Sequence, residues 1–496
     1  MKRCLLSRVI VCFSISVSFL FAEDQIANST ESARKTLRKA VEFYSEHVAT
    51  EGGYLWKYSS DLLLREGENV ADAQTVWVQP PGTPTIGLTL LNAYRVTGDS
   101  YYLDAAHRAG NCLVRGQLRS GGWTYPIYFD EKRRQTQNYR VDSAQTSKNV
   151  KNVSTLDDDT TQSATIFLME LDEALGFSDE KIHEAALYAL DKLIETQFPN
   201  GAFPQGFSGE QRDNTVYSVK AANYPPEGTE PTHEKNYYKF YTFNDNLARD
   251  INRVFFVASE IYGTKKENQL CLNEKYVTAA KRLGDFMILA QMPEPQPAWA
   301  QQYDFEMRPC WARKFEPASI TGGESQGIMR ALIELYLFTG NKKYLEPIPK
   351  ATAYLERSRR SDGKLARFYE LRTNKPLYFT KDYELTYSDA DMPTHYAFVI
   401  DFKPVQVDSL LKQNESDRLK QLEILRNNYH HLSLPRSNAK NVATVINAID
   451  QRGAWVTQEK LKSAKSDEKI PVINNTVFVK NVNILLGFLR TEKDSN

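Results

Sequence analysis

Apolar residues recur along most of this chain at steps of three and four. In EKYVTAAKRLGDFMILAQ, Tyr276, Ala279, Ala280, Leu283 and Phe286 share one helix face. That segment follows VFFVASEIYG and leads into PQPAWAQQYD. Three others repeat the plan: LLNAYRVTGDSYYLDAAHRAGNCLVRGQ with SGGWTYPIYFD, ATIFLMELDEALGF with KIHEAALYALDKLIETQ and PNGAFPQGF, and ALIELYLFTG with NKKYLEPIPKATAYLERSRRSDGKLARFYEL. Each predicts a helix, a glycine-containing turn, a second helix and an extended Gly/Pro/aromatic piece. Gly98, Gly263 and Gly340 fall where a left-handed residue closes a helix, a conformation glycine enters without a Cβ penalty. VATVINAIDQRGAWVTQ is a fainter fifth copy.

Strand-period alternation is scarce, so the pattern predicts an all-α fold of stacked helical hairpins. A repeat of roughly 70–100 residues is longer than the common solenoid units and fits an α/α toroid. In such a toroid the extended pieces and long irregular loops form a cleft at one end. Residues 130–155 and 208–240 interrupt the plan, and Pro225, Pro226, Gly228 and Pro231 exclude a helix from the second. They read as cleft walls. Residues 404–435 read as a charged helix and turn with little sign of catalysis. The expected organisation is one dominant toroid over 23–496, with its core at about 75–400 and a helical C-terminal extension over 404–496.

Composition changes this picture little. Of 496 residues, 41% are hydrophobic and 25% charged, which excludes a wholly disordered chain. Lys+Arg and Asp+Glu are each 62, and that balance argues against a nucleic-acid partner. Residues 1–22 join a short basic start (Lys2, Arg3) to an apolar run ending at Ala22, the pattern of a signal peptide. A secreted or periplasmic protein is expected, with an uncleaved anchor as the alternative reading. Beyond that segment Cys112, Cys271 and Cys310 remain, an odd number matching no zinc spacing, and buried thiols are expected.

Three clusters could carry chemistry. Asp157, Asp158 and Asp159 stand together before SATIFLMELDEAL, and Asn244, Asp245 and Asn246 before LARDINRVFFVASEIYG. Hard oxygen donors at that density suit Ca²⁺. Taken alone, each cluster reads first as a helix cap, because Asp, Asn and Thr are good N-caps, and it is two such acid-rich helix starts in one toroid that favour the cation. The third cluster, from Pro297 to Glu324, interleaves Trp299, Tyr303 and Trp311 with Gln301, Arg313 and Glu316. Flat aromatics there can stack on sugar rings while amides and charges fix hydroxyls and carboxylates. Arg367 and Lys381 follow in the fourth repeat. Acids for a cation beside Arg and Lys for anions suit a substrate with many carboxylates, such as a polyuronate.

WAQQYD, PCWARKFEPASITGGESQGIM and LARFYELRTNKPLYF, in that order with FNDN and GAFPQ, resemble the pectic acid lyases, polysaccharide lyase family 10. The resemblance spans about 75–400. It implies an α-helical toroid that cleaves polygalacturonate by calcium-assisted β-elimination. It assigns Asp157, Asp158 and Asp245 to Ca²⁺ and Arg313 to the C5 proton as base. Arg367 and Lys381 would bind substrate carboxylates, with Asn244, Trp299, Gln301 and Tyr303 as further substrate contacts. Lys375 and Lys381 stand where the family often has arginine, which loses the bidentate fork. The substrate is expected to be polygalacturonate or a related acidic polysaccharide, acted on by a monomer with no protein partner. A toroidal glycoside hydrolase and a non-catalytic carbohydrate-binding protein remain as alternatives.

Overall fold

The computed structural model describes residues 29–495, apart from 145, 146, 148, 211, 214, 230–232, 234, 267, 268 and 431. The expected signal segment, residues 1–22, lies outside the described residues. The helices are α1 (29–43), α2 (Thr83–Thr97), α3 (Ser100–Gly116), the short α4 (Glu131–Arg134), α5 (Thr160–Ala174), α6 (Glu180–Thr196), α7 (Leu247–Ile261), α8 (Glu274–Leu289), α9 (Gly322–Thr339), α10 (Ile348–Arg357), the short α11 (Asp408–Leu411), α12 (Glu415–Tyr429), α13 (Ala439–Ala448) and α14 (Asn475–Ser495). None of the described helices is long and apolar enough to cross a membrane.

Burial separates these helices into an inner and an outer layer. In α5 every residue from Thr160 to Asp172 is buried, whereas α6 buries only a stripe built from Ile182, Ala185, Ala186, Ala189, Leu190 and Leu193. The inner helices α2, α5, α7 and α9 pack in that order, and α14 packs on α2. α12 lies against α9, and Arg490 of α14 donates to the Leu432 carbonyl (2.7 Å), which closes the ring. The result is the all-α toroid expected from the periodicity. Residues 404–435 have a structural task in it: His430 is clamped between Glu170 (2.7 Å) and Glu260 (2.9 Å), tying the end of α12 to α5 and α7.

The hairpin turns follow local chemistry. Asp99, Asp179 and Asn273 accept backbone N–H groups at the starts of α3, α6 and α8, satisfying donors that a helix start leaves free. Gly98 and Gly340 take the expected left-handed φ (73° and 71°). Gly263 does not. There the chain runs into a short ribbon (Thr264–Lys266 with Gln269–Cys271), and a Cβ on Gly263 would lie 2.6 Å from the Cys271 carbonyl oxygen. Close approach, not backbone handedness, requires that glycine. Cys112 is buried as expected, but Cys271 on this ribbon is exposed.

After each outer helix the same construction recurs. Gln117, Gln197 and Gln291 each donate to the turn that follows and to a carbonyl of the next repeat: Ala185 (2.9 Å), Ala279 (3.0 Å) and Pro347 (2.8 Å). A buried anchor then fills the gap, namely Tyr54, Trp123, Phe203, Trp299 or Leu365. The indoles of Trp123 and Trp299 donate back to their own outer helices, at the Leu113 (2.9 Å) and Met287 (2.7 Å) carbonyls. Two residues past each anchor, a carbonyl accepts from the segment that opens an inner helix. The pairs are Trp56 with Asn475 (3.0 Å), Tyr125 with Val78 (2.7 Å), Gln205 with Leu156 (2.8 Å), Gln301 with Phe243 (2.9 Å) and Arg367 with Gly322 (2.9 Å). These five equivalent positions gather at the N-terminal end of the inner ring.

Candidate active site

Two matching turns bring the acids together at that end. Each follows a two-residue strand (Ser154–Thr155 and Tyr241–Thr242) and opens an inner helix. Asp158 and Asp159 adopt left-handed φ (50° and 56°), as do Asp245 and Asn246 (47° and 62°). That conformation costs a side-chain-bearing residue about 1 kcal/mol, least for Asp and Asn. Neither Asp159 nor Asn246, the residues that open α5 and α7, caps its helix through a side-chain hydrogen bond. Capping therefore does not account for these residues. The turns instead bring ligand oxygens of Asp157, Asp158 and Asp245 within 4.8 Å of one another.

Neutral donors hold these carboxylates in place. Tyr125 Oη donates to Asp157 (3.1 Å), Gln79 Nε2 to Asp158 (2.8 Å), and Asn244 Nδ2 to Asp157 (3.4 Å) and Asp245 (2.7 Å). Gln205, in the GAFPQ turn, is a further neutral neighbour of Asp157 that favours its charged form. Burial and then mutual repulsion raise all three carboxyls. Asp158 is pushed up to about 6, with Asp245 as the main opposing charge, and Asp245 up to about 7, with Asp157 in that role. Asp157 is shifted the same way by burial and Asp158. Hard oxygens, a strained backbone and carboxyls kept from ionising freely are what a divalent cation would relieve. The residues fit Ca²⁺.

Cations line one side of the cluster. Arg313 Nη2 lies 3.3 Å from Asp245, and its fork is fixed on Glu316 (Nε 2.8 Å, Nη2 2.6 Å). Glu316 is 2% exposed and also accepts from Gln301 (2.7 Å) and Tyr396 (3.0 Å). Burial opposes charge on both Arg313 and Glu316, but their pairing outweighs it: the guanidinium is held even higher than usual and the carboxyl below its usual range. Gln301 Nε2 also donates to Asn244, linking the arginine to the acidic turn. Arg367 pairs with Glu324 (2.6 Å), approaches Asp245 (3.9 Å) and lies over the Tyr396 ring (4.3 Å). A cavity of about 200 Å³ opens beside them, lined by Asp245, Arg249, Glu324, Gly327 and Arg367.

Asp157, Asp158, Asn244, Asp245, Gln301, Arg313 and Arg367 are thus brought together. Trp299 and Tyr303 are not cleft surfaces. Both are fully buried, Trp299 as the repeat's anchor and Tyr303 with its hydroxyl on the Ala290 carbonyl (2.6 Å) and the Ala300 N–H (2.8 Å). Lys381 is also apart from the cluster. It lies beyond the strand Pro376–Phe379, mostly exposed, and pairs with Asp391 (3.0 Å). The sequence reading missed Gln79, Tyr125 and Tyr396. Gln79 and Tyr125 could have been found by aligning the repeats; Tyr396, on an irregular segment, carried no such signal.

Residues 127–337 match the family model for pectic acid lyase. The resemblance read from the sequence is borne out. The enzyme class is that of the polysaccharide lyases. A family 10 polysaccharide lyase from Cellvibrio cellulosa, a mutant in complex with trigalacturonic acid, is 18% identical over 64% of this chain and 94% of its own, with a TM-score of 0.41. Cellobiose 2-epimerase from Bacillus thermoamylovorans is 14% identical over 93% of this chain and 99% of its own, at 0.42. No curated protein sequence gives a match.

Proposed function

We propose that this protein is a secreted, calcium-dependent lyase that cleaves polygalacturonate by β-elimination. The observation that carries the reading is the meeting of Asp157, Asp158 and Asp245 within 4.8 Å, with Arg313 3.3 Å from Asp245. Bound Ca²⁺ would supply positive charge to a uronide carboxylate and so acidify the neighbouring C5 proton.

The chain's own residues do the rest. Tyr125, Gln79 and Asn244 orient the three ligand carboxylates. Arg367, charged and held by Glu324, offers a second positive group to a substrate carboxylate and to charge developing beside it. Arg313 would face C5 as the base. Its pairing with Glu316 fixes its position but also holds its proton firmly. Acting as base therefore requires the cation and Arg367 to offset the surrounding acids. Proton removal from C5 with loss of the C4 oxygen leaves a 4,5-unsaturated uronide. Incubating polygalacturonate with the protein in Ca²⁺ or in EDTA tests this. Ultraviolet absorbance that grows only with Ca²⁺ supports the lyase. Reducing ends without absorbance point to a hydrolase, and binding without either product to a carbohydrate-binding protein.

A further inference from the structure

Five positions are equivalent by backbone hydrogen bonding, and four of their side chains serve the acidic site. Tyr125 binds Asp157, Gln205 acts on the same carboxylate as a neutral neighbour, Gln301 binds Asn244 and Glu316, and Arg367 faces Asp245. The fifth is Trp56, at the end of this arc next to α14 and α2. Its carbonyl accepts from Asn475 at the start of α14, as the other four accept from the starts of their inner helices. The repeat that aims the other four side chains into the bowl therefore aims an indole there as well.

We propose that Trp56 is a sugar-stacking platform at the far end of the arc from Arg367, contacting a uronide chain that extends past the acidic cluster. Trp56 is half-buried, unlike the fully buried anchors Trp123 and Trp299. Its edge is fixed: Nε1 donates to the Gln79 carbonyl (2.9 Å), and Trp77 packs edge-on (6.3 Å, 70°). The Gln79 side chain in turn holds Asp158 (2.8 Å), so the ring stands one residue away from the cluster. A rigid, tethered aromatic face costs little entropy to present. It takes the apolar C–H face of a pyranose and adds no charge where Asp158 and the nearby Glu68 are already acidic. This inference rests on the uronide reading given under Proposed function.

The test compares wild type, Trp56→Ala and Trp56→Phe on trigalacturonate and hexagalacturonate. In Trp56→Ala, the ratio of kcat/KM for the hexamer to that for the trimer falls at least tenfold, while Ca²⁺ affinity stays within twofold. Trp56→Phe, which keeps a ring and loses the N–H, retains most of the ratio. Loss shared equally by both chain lengths would mark Trp56 as a mere support for Gln79 and overturn the proposal, as would no loss at all. If wild type yields no unsaturated product, the lyase reading fails separately, and calorimetric binding of the same oligomers decides Trp56. Hexamer affinity at least tenfold weaker in Trp56→Ala upholds the platform; equal affinity, or no binding by wild type, overturns it.

Discussion

Replacing Asp245 with Asn separates what the cation needs from what the fold needs. At an effective dielectric constant of about 20, Arg313 at 3.3 Å attracts the Asp245 charge by about 5 kcal/mol and Arg367 at 3.9 Å by about 4 kcal/mol. Asp157 and Asp158, with oxygens within 4.8 Å, each repel it by at least about 3.5 kcal/mol. Attraction and repulsion offset to within a few kcal/mol, which leaves burial to push this carboxyl up to about 7. Asp245→Asn in EDTA should therefore melt within a few degrees of wild type. A divalent cation changes the balance. A unit charge about 2.4 Å from it is worth about 3.5 kcal/mol even at the dielectric constant of water, on the order of 300-fold in affinity. The assay is a Ca²⁺ titration at pH 8, read by calorimetry and by melting temperature. The midpoint should move at least 100-fold in Asp245→Asn. An unchanged midpoint would refute the ligand assignment. A variant that fails to fold without calcium would show Asp245 to be a structural ion-pair partner instead.

Other outcomes follow from the same geometry. Arg313→Lys should reduce kcat at least 100-fold with little change in melting temperature, because lysine cannot span Asp245 and both Glu316 oxygens; a near-wild-type rate would remove Arg313 from the chemistry. Glu316→Gln should lower kcat more than it raises KM, since it frees Arg313 without touching the cation ligands. Ca²⁺ affinity should weaken as pH falls through about 7 and then about 6, where Asp245 and Asp158 take up protons. The sign for stability is the reverse. In the calcium-free protein these raised carboxyls hold protons that the unfolded chain releases, so their contribution is full below about 4 and is lost as pH rises to about 7. Melting curves in EDTA from pH 4 to pH 8 check this. Trp299→Ala should cost about 3–5 kcal/mol of stability, as a buried anchor does, rather than act on KM alone.

Helical periodicity carried the fold because amphipathic burial is a local pattern. The apolar stripe of α8 and the left-handed glycines Gly98 and Gly340 were legible residue by residue. The acidic turns were legible as composition only. Asp158 and Asp245 read first as caps, and what distinguishes the readings is a left-handed backbone that the residue types alone do not announce. Trp299 and Tyr303 looked like sugar platforms because aromatics that fill a repeat and aromatics that line a cleft share one composition. Their repeat neighbours decide between the two: Trp123 and Trp299 both return their indoles to an outer helix, and Tyr58, like Tyr303, accepts a backbone N–H from three residues earlier (2.6 Å). Lys381 was carried over from a motif, but a few residues past a sheet edge were enough to take it away from the acids. Tyr396 reaches Glu316 across 80 positions of sequence, a distance no local pattern spans.

The central claim is that one bowl holds a cation on Asp157, Asp158 and Asp245 beside Arg313. It is tested most directly by crystals of Arg313→Ala soaked with Ca²⁺ and trigalacturonate, measured for anomalous scattering. The expected result is a calcium peak within ligand distance of all three carboxylates and a uronide carboxylate completing its shell. A peak elsewhere, or a sugar bound in the bowl with no ion on these residues, would contradict it.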